Sequence, residues 1–157
     1  MHIMKTRQIV LIDAENLAGT GHLTDSAAQL ICETLKRAID ISRNDIVIVG
    51  GDKHNVFHLG QIAKCFCGQI VLGTGPNGGD QALQTAFDQI PSVIWNHSDL
   101  PISRLVIASG DNFFAMAARV AKSKGHYVMT VSKQGSLSYL LAKNSTDHVY
   151  LPEIGSV

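Results

Sequence analysis

Four aspartates stand at similar places in the sequence, each next to a short apolar run or a glycine-rich turn. They are Asp13, Asp52, Asp80 and Asp111. Any one of them alone fits a turn or a helix N-terminus, where a carboxylate accepts hydrogen bonds from free backbone N–H groups. Several carboxylates at one place repel one another unless a cation lies between them. Oxygen ligands suit Mg²⁺ or Mn²⁺, and such a cation assists phosphodiester cleavage by neutralising charge and acidifying a bound water.

The apolar runs near these aspartates have the composition of buried β-strands. Short runs rich in β-branched residues and bounded by turn residues are typical of strands covered on both faces. Strands are predicted at Gln8 to Ile12, Ile46 to Val49, Gln69 to Leu72, Arg104 to Ala108, Tyr127 to Val131 and, as an edge strand, Val149 to Leu151. The first, second and fourth of these lead directly into Asp13, Gly50-Gly51-Asp52 and Ser109-Gly110-Asp111.

Segments with helical spacing of apolar residues separate these strands. Thr24 can cap the first helix, which ends near Asp40. Further helices are predicted near Val56 to Cys65, from about Asp80 to Gln89, from about Phe114 to a close at Gly125, and at Ser136 to Lys143. Between Pro91 and Pro101 the sequence indicates an irregular or weakly extended connection.

Strands that alternate with helices of this length predict a parallel sheet with right-handed crossovers and helices on both faces. The expected fold is one α/β domain over residues 1–157, a three-layer α/β/α sandwich with a central, mainly parallel sheet and strand one in its interior. Ligands of such sheets bind beyond the carboxyl ends of the strands. The sequence therefore places the aspartates at the edge where chemistry is expected.

Composition restricts the functional class only weakly. Of the 157 residues 45% are apolar, and 13 basic residues balance 13 acidic ones, which argues against a general attraction for nucleic acid. A local basic face could still contact phosphates, because positive charge is concentrated in the C-terminal third, at Arg119, Lys122, Lys124, Lys133 and Lys143. No apolar run is long enough for a signal peptide or a membrane span, and the three cysteines lack metal-binding spacing, which favours a cytoplasmic protein with reduced thiols.

Three motifs together resemble the NYN family of PIN-like ribonuclease domains. They are Leu11-Ile12-Asp13-Ala14-Glu15-Asn16-Leu17, Gly79-Asp80 with Ala82-Leu83, and Ser109-Gly110-Asp111. The segments Gly125 to Val131, Ser138 to Leu141 and Asp147 to Leu151 are similar to the closing part of that family. The resemblance implies a PIN-like fold and an endoribonuclease that hydrolyses phosphodiester bonds of single-stranded or structured RNA with Mg²⁺ or Mn²⁺.

The same resemblance implies roles for individual residues. Asp13, Asp80 and Asp111 would be the metal ligands, and Asn16 would join them in the catalytic set. Ser109 would line the same pocket, and we expect Lys122 and Lys124 to contact the substrate. Members of the family usually carry a second acidic residue two positions after the Asp of the Ser-Gly-Asp motif, whereas this sequence continues with Asn112 and Phe113. Asp52, after the neighbouring strand, is a candidate to restore that charge.

Two other functions fit parts of this pattern. A noncatalytic domain that binds RNA or protein would explain why Asn112 and Phe113 replace the acidic pattern, and a homo-oligomer is compatible with it. A phosphatase of the haloacid dehalogenase class would use Asp13 as nucleophile and Glu15 as acid, with Asp111 near the metal. That class places Ser or Thr at the end of strand two, where this chain has Gly50-Gly51-Asp52.

Two remaining motifs have simpler explanations. The run from Gly73 to Gly78 matches the G-x-G-x-x-G pattern of dinucleotide sites. Asp80 would turn a negative charge toward a bound phosphate there, and the motif follows strand three rather than strand one, so no dinucleotide cofactor is expected. His54 and His58 have the i, i+4 spacing of a metal-binding pair, but no third ligand lies nearby in the sequence.

Overall fold

A computed structural model describes residues 5–75 and 77–151 as a three-layer α/β/α sandwich, which confirms the predicted fold class. The six strands of its central sheet are β1 (Arg7–Asp13), β2 (Ile46–Asp52), β3 (Gln69–Gly73), β4 (Ile102–Ala108), β5 (Tyr127–Lys133) and β6 (Asp147–Leu151). All neighbouring strands are parallel and stand in the order β3-β2-β1-β4-β5-β6. β1 therefore lies in the interior of the sheet, as predicted.

Within the described ranges seven α-helices connect the strands: α1 (Ala14–Ala18), α2 (Asp25–Ala38), α3 (Val56–Cys65), α4 (Gly78–Asp88), α5 (Ser92–Trp95), α6 (Ala115–Ser123) and α7 (Tyr139–Lys143). Single 3₁₀ turns at Lys53–Asn55 and Asn112–Phe114 precede α3 and α6. The hydroxyl of Thr24 accepts a hydrogen bond from the Ala27 N–H at 3.1 Å, so the predicted cap of α2 is present. None of the helices in the described ranges is long and apolar enough to cross a membrane.

Alternate side chains of β1 point to opposite faces of the sheet and pack into two apolar cores, one on each face. Val10 and Ile12 pack into the first core beneath α1, α2 and α3, whereas Ile9 and Leu11 pack into the second core beneath α4, α6 and α7. All four side chains are at most 1% exposed, and burying each stabilises the fold by about 1.5–3 kcal/mol. A strand buried on both faces has a continuous apolar run instead of alternating apolar and polar residues, and β1 has such a run from Ile9 to Ile12.

The strand order reverses direction between β1 and β4. From β1 the chain moves outward to β2 and β3, and it then crosses back to β4 and continues to β5 and β6. The loops that leave β1 and β4 therefore diverge to opposite faces and open a crevice at their carboxyl ends. Open α/β sheets bind ligands at such a switch point.

Glycines let α4 lie close to the carboxyl end of β2. A Cβ atom on Gly50 would lie 2.4 Å from Leu83 Cγ, and one on Gly79 would lie 2.8 Å from the Gly51 Cα atom. Such distances are shorter than real Cβ contacts, so only glycine fits. This close approach brings the first turn of α4, with Asp80, to the crevice.

Candidate metal centre

Three aspartates meet at the switch point. Asp13 ends β1, Asp111 follows β4, and Asp80 lies in the first turn of α4. Each offers a carboxylate oxygen, and these oxygens all lie within 4.8 Å of one another. Asp13 and Asp80 are buried and Asp111 is half-buried. The fold thus brings together the three residues that the sequence predicts as metal ligands.

Ser109 links two of these aspartates. Its hydroxyl donates to Asp13 Oδ2 at 2.9 Å and accepts from the Asp111 backbone N–H at 3.1 Å. Ser109 is 1% exposed, so this bond restrains the Asp13 carboxylate from inside the protein. Asp111 in turn caps the 3₁₀ turn that follows it, because its Oδ1 accepts from the Phe113 N–H at 2.9 Å.

Asn16 fixes the position of the Ser109 to Asp111 turn. Its side-chain oxygen accepts a hydrogen bond from the Gly110 N–H at 2.8 Å. Asn16 lies in α1, and Asp13 caps that short helix by accepting from the Asn16 N–H. The two loops that leave β1 and β4 are therefore joined at the point where the aspartates converge.

The free cluster retains a proton near neutral pH. Burial, the charge of Asp13 and hydrogen bonds to Asp13 and Asp111 together raise the pKa of Asp80 to about 9, and burial contributes most. Burial also raises the pKa of Asp13, to about 6, although hydrogen bonds from Asp80, Ser109 and the Asn16 N–H oppose that rise. Three carboxylates in a partly desolvated space favour either a proton or a cation among them.

The aspartates line an open cavity of about 510 Å³. Asn16, Lys133 and Ser136 contribute further polar side chains to its wall, and the loop 19–21 and the start of α4 form part of the rim. Lys133, at the end of β5, brings a positive charge to a wall that is otherwise acidic. The size of this cavity is in the range of small-molecule and cofactor sites, but its lining is mainly polar rather than apolar.

Glu15 is a fourth carboxylate on the cavity wall, and no site role was predicted for it in the ribonuclease interpretation. Its Oε2 accepts from the Asp52 N–H at 2.6 Å and from the Asn55 side-chain amide at 2.9 Å. Asn55 is 2% exposed and also donates to the Gly21 carbonyl, so it connects Glu15 to the loop at the rim. Glu15 follows Asp13 by two residues, but its partner Asn55 lies 40 residues away, and sequence spacing gives no indication of that contact.

Asp52 does not lie in the cluster of Asp13, Asp80 and Asp111. It therefore does not supply the negative charge that is missing at Phe113, where the NYN family usually has an acidic residue. Its carboxylate accepts a hydrogen bond from the His54 backbone N–H at 3.1 Å and contacts His54 Nδ1 at 2.7 Å. Both contacts lower the pKa of Asp52, and the contact with Nδ1 raises the pKa of His54. His54 and His58 have separate partners, because His54 Nε2 contacts the Gly21 carbonyl and His58 Nδ1 contacts Gln61. The described residues therefore offer no shared metal site for the two histidines.

Lys122 and Lys124 do not line the cavity of the aspartates. α6 begins beside the carboxyl end of β4 and runs toward the amino end of β5, and both lysines lie at its far end. Lys124 instead lines a second cavity with Trp95 and His126. The sequence shows that these lysines belong to a basic segment. It does not show which end of the helix lies next to the aspartates. The G-x-G-x-x-G match includes Pro76, which lies outside the described residues.

Comparison with known proteins supports the fold and leaves the family resemblance a prediction. No family model and no curated protein matches the sequence. A crystal structure of a protein of unknown function from Vibrio parahaemolyticus is similar to this chain, with a TM-score of 0.64 and 12% sequence identity over 98% of this chain and 97% of that one. The shared fold extends over nearly the whole of both chains. Fold and site together define a three-layer α/β protein with an acidic cluster at the switch point of its sheet.

Proposed function

We propose that this protein is a metal-dependent ribonuclease that hydrolyses phosphodiester bonds in the cavity at the carboxyl ends of β1 and β4. The observation that carries the proposal is the convergence of the Asp13, Asp80 and Asp111 carboxylates within 4.8 Å. The resemblance of the three surrounding motifs to NYN ribonucleases supplies the substrate class. The neutral overall composition does not contribute to that choice.

The donor set fits a hard divalent cation. Asp13, Asp80 and Asp111 offer carboxylate oxygens, without a histidine nitrogen or a thiolate among the clustered ligands of the described residues. Oxygen-only sites of this kind favour Mg²⁺ or Mn²⁺ over Zn²⁺ or Cu²⁺. When bound, the cation supplies charge neutralisation for the phosphodiester and a more acidic water.

The chain's own residues orient the reacting groups. Ser109 holds Asp13 through the 2.9 Å bond, and Asn16 holds the turn that carries Asp111. The Asn16 side-chain oxygen already accepts a hydrogen bond from the Gly110 N–H. The Asn16 amide nitrogen is therefore the group that would donate to a substrate oxygen in the cavity. Lys133 lies on the same wall and would pair with a phosphate oxygen.

A cleavage assay tests this proposal directly. End-labelled single-stranded and hairpin RNAs should be shortened by the wild-type protein with Mn²⁺ or Mg²⁺ and left intact with chelator. Asp13→Asn and Asp111→Asn should abolish turnover, whereas Asp99→Asn, which changes an exposed aspartate outside the cluster, should leave it unchanged. Cleavage by Asp13→Asn at the wild-type rate, or none by wild type with any of these metals, contradicts the proposal.

Metal binding is measured separately. In calorimetric titration with Mn²⁺, Asp111→Asn should weaken affinity by at least about tenfold, because one of three charged ligands becomes neutral. Asp99→Asn again serves as the control. Equal affinities for wild type and Asp111→Asn would place the cation elsewhere.

Phe113 favours a second candidate, a noncatalytic domain that binds RNA or protein. Its side chain is 37% exposed where the family usually has an acidic residue, and Asp52 does not replace the lost charge. RNA binding without shortening in the same assay would support this candidate. The phosphatase interpretation is weaker, because β2 ends in Gly50-Gly51-Asp52 where that class places Ser or Thr.

A further inference from the structure

Two packed helices beside the cavity expose large apolar and aromatic side chains. Tyr139 and Leu140 of α7 are 78% and 48% exposed, and Met116 of α6 is 62% exposed. Phe113, in the 3₁₀ turn before α6, is 37% exposed. α7 packs against both α6 and this turn, so the four side chains lie on neighbouring elements. We call the surface of α6, α7 and the turn the α6–α7 face.

The same part of the chain is uniformly basic. Residues 112–146 contain no aspartate or glutamate and five basic residues: Arg119, Lys122, Lys124, Lys133 and Lys143. Arg119 follows Met116 by three residues in α6, so both lie on one side of that helix, and Lys143 ends α7. All of the basic side chains except Lys133 are exposed. A polyanion is therefore the partner with complementary charge.

The α6–α7 face begins at the candidate metal centre. Phe113 stands two residues after Asp111, and the Ser138 N–H, directly before Tyr139, donates to the Gly110 carbonyl at 2.9 Å. From this edge both helices run toward the amino ends of the strands. Apolar side chains thus lie nearest the aspartates, and Arg119 and Lys143 lie further along.

We propose that the α6–α7 face binds the single-stranded RNA that extends from the scissile phosphate, with bases stacked on Tyr139 and Phe113 and phosphates paired with Arg119 and Lys143. This inference rests on the proposed function, because the aspartate cluster fixes where the strand is cut. Proteins that hold single strands combine exposed aromatic side chains with a basic track. Both features occur here on exposed side chains of neighbouring elements beside the cavity.

Fluorescence anisotropy with chelator present measures binding without cleavage. The probes are a labelled 12-residue oligouridylate and an oligomer of equal length that carries phosphates but no bases. Tyr139→Ala should weaken binding of oligouridylate by about tenfold and leave binding of the base-free oligomer unchanged. Tyr150→Ala, which removes a 44% exposed tyrosine from β6, is the matched control and should have no effect.

The basic part of the face has its own measurement. Arg119→Gln and Lys143→Gln should each reduce the slope of log Kd against log salt concentration by about 0.7, the value for one phosphate contact on a single strand. Lys36→Gln, on the exposed side of α2, should leave the slope unchanged. Equal slopes for wild type and both face variants would overturn the phosphate contacts.

These outcomes separate this proposal from the proposed function. If Tyr139→Ala binds oligouridylate as wild type does, the face is not the RNA track, even if the protein cuts RNA. If Tyr139→Ala weakens binding but wild type never shortens RNA, the track stands and the nuclease fails. If sedimentation shows instead that Tyr139→Ala converts a dimer to a monomer without changing RNA binding, the face is an interface between copies of this chain and the proposal is overturned.

Discussion

Asn16 shows how one side chain couples the two loops of the site. Its oxygen is the partner of the Gly110 N–H, and Gly110 is buried. Asn16→Ala leaves that N–H without its partner and should lower the free energy of unfolding by about 1–2 kcal/mol. Urea denaturation with chelator present measures the change. Asn96→Ala, which alters an exposed side chain bonded to the Ser92 carbonyl, should change the free energy by less than about 0.5 kcal/mol.

The Asn16→Asp variant separates folding from substrate positioning. An aspartate can still accept from Gly110, so the turn should keep its position once Mn²⁺ offsets the added charge. The donor on the amide nitrogen is lost, however, and RNA cleavage should slow by about 10²–10³-fold at saturating Mn²⁺. Full activity in Asn16→Asp would show that this donor does not contact the substrate.

The raised pKa of Asp80 makes the stability of the metal-free protein depend on pH. The unfolded carboxyl has its ordinary value of 3.8, and the folded one titrates near 9. Between these values the folded chain holds a proton that the unfolded chain releases, so stability falls as pH rises. Asp13, raised to about 6, acts in the same direction over the lower part of this range. Urea denaturation with chelator should therefore give a lower free energy of unfolding at pH 8.5 than at pH 5.5.

Asp80→Asn is the variant that isolates this effect. The raised pKa of His54 also favours the folded state at lower pH, and the lowered pKa of His126 opposes it, but both groups remain in the variant. The fall in stability between pH 5.5 and 8.5 should become smaller in Asp80→Asn. Saturating Mn²⁺ should reverse the trend in wild type, because cation binding releases the proton. The same pH dependence in both proteins would contradict the assignment to Asp80.

The close packing of α4 against β2 determines the position of Asp80. A Cβ atom on Gly79 would meet backbone atoms of Gly51 at 2.8–3.2 Å, and backbone cannot yield as a flexible side chain can. Gly79→Ala should move α4 outward, lower stability by about 1–3 kcal/mol and weaken Mn²⁺ binding. Thermal unfolding and calorimetric titration provide the two measurements.

Gly60 provides a matched control for that substitution. It lies inside α3, and a Cβ atom there would have no neighbour within 4 Å. Gly60→Ala should therefore stabilise the protein by about 0.5–1 kcal/mol, since alanine loses less backbone entropy in a helix. The same chemical change thus has opposite signs at the two positions. A stabilising Gly79→Ala would show that α4 is not held against β2.

Sequence patterns predicted the strands and long helices better than the short helices. α3 has the predicted bounds, because its apolar spacing is regular and turn residues flank it. α1 was not predicted, since its five residues are held mainly by the Asp13 cap rather than by an apolar stripe. α5 lies where an irregular connection was expected, and it is stabilised by Trp95 packing on Phe87. Elements this short depend on tertiary contacts that periodicity does not record.

For the whole molecule, parallel topology made the acidic cluster predictable. If Asp13 and Asp111 each end a parallel strand, they must lie on the same edge of the sheet. The chain order gave no indication that β4 would return beside β1, yet that pairing is what brings the two aspartates within reach of each other. The contacts of Glu15 and the remote position of Lys122 depend on loop and helix directions, which no local pattern specifies.

The two cores should unfold together, because one sheet separates them and each of the strands β1 to β5 contributes side chains to both. Trp95, the single tryptophan, packs against the second core, and its fluorescence reports on that face. Cys32 is 5% exposed in the first core, and its reaction with a thiol reagent reports on the other face. In a Cys65→Ser, Cys67→Ser double variant, Cys32 is the remaining thiol.

Urea denaturation of that double variant tests cooperativity across the sheet. Trp95 fluorescence, Cys32 labelling and far-ultraviolet circular dichroism should give the same midpoint within error, as two-state unfolding requires. Removing β1 from either core would expose apolar surface in the other, so neither face can remain folded alone. A Cys32 midpoint clearly below that of Trp95 would mean that the layer of α2 and α3 unfolds first, and the expectation of one domain would then be wrong.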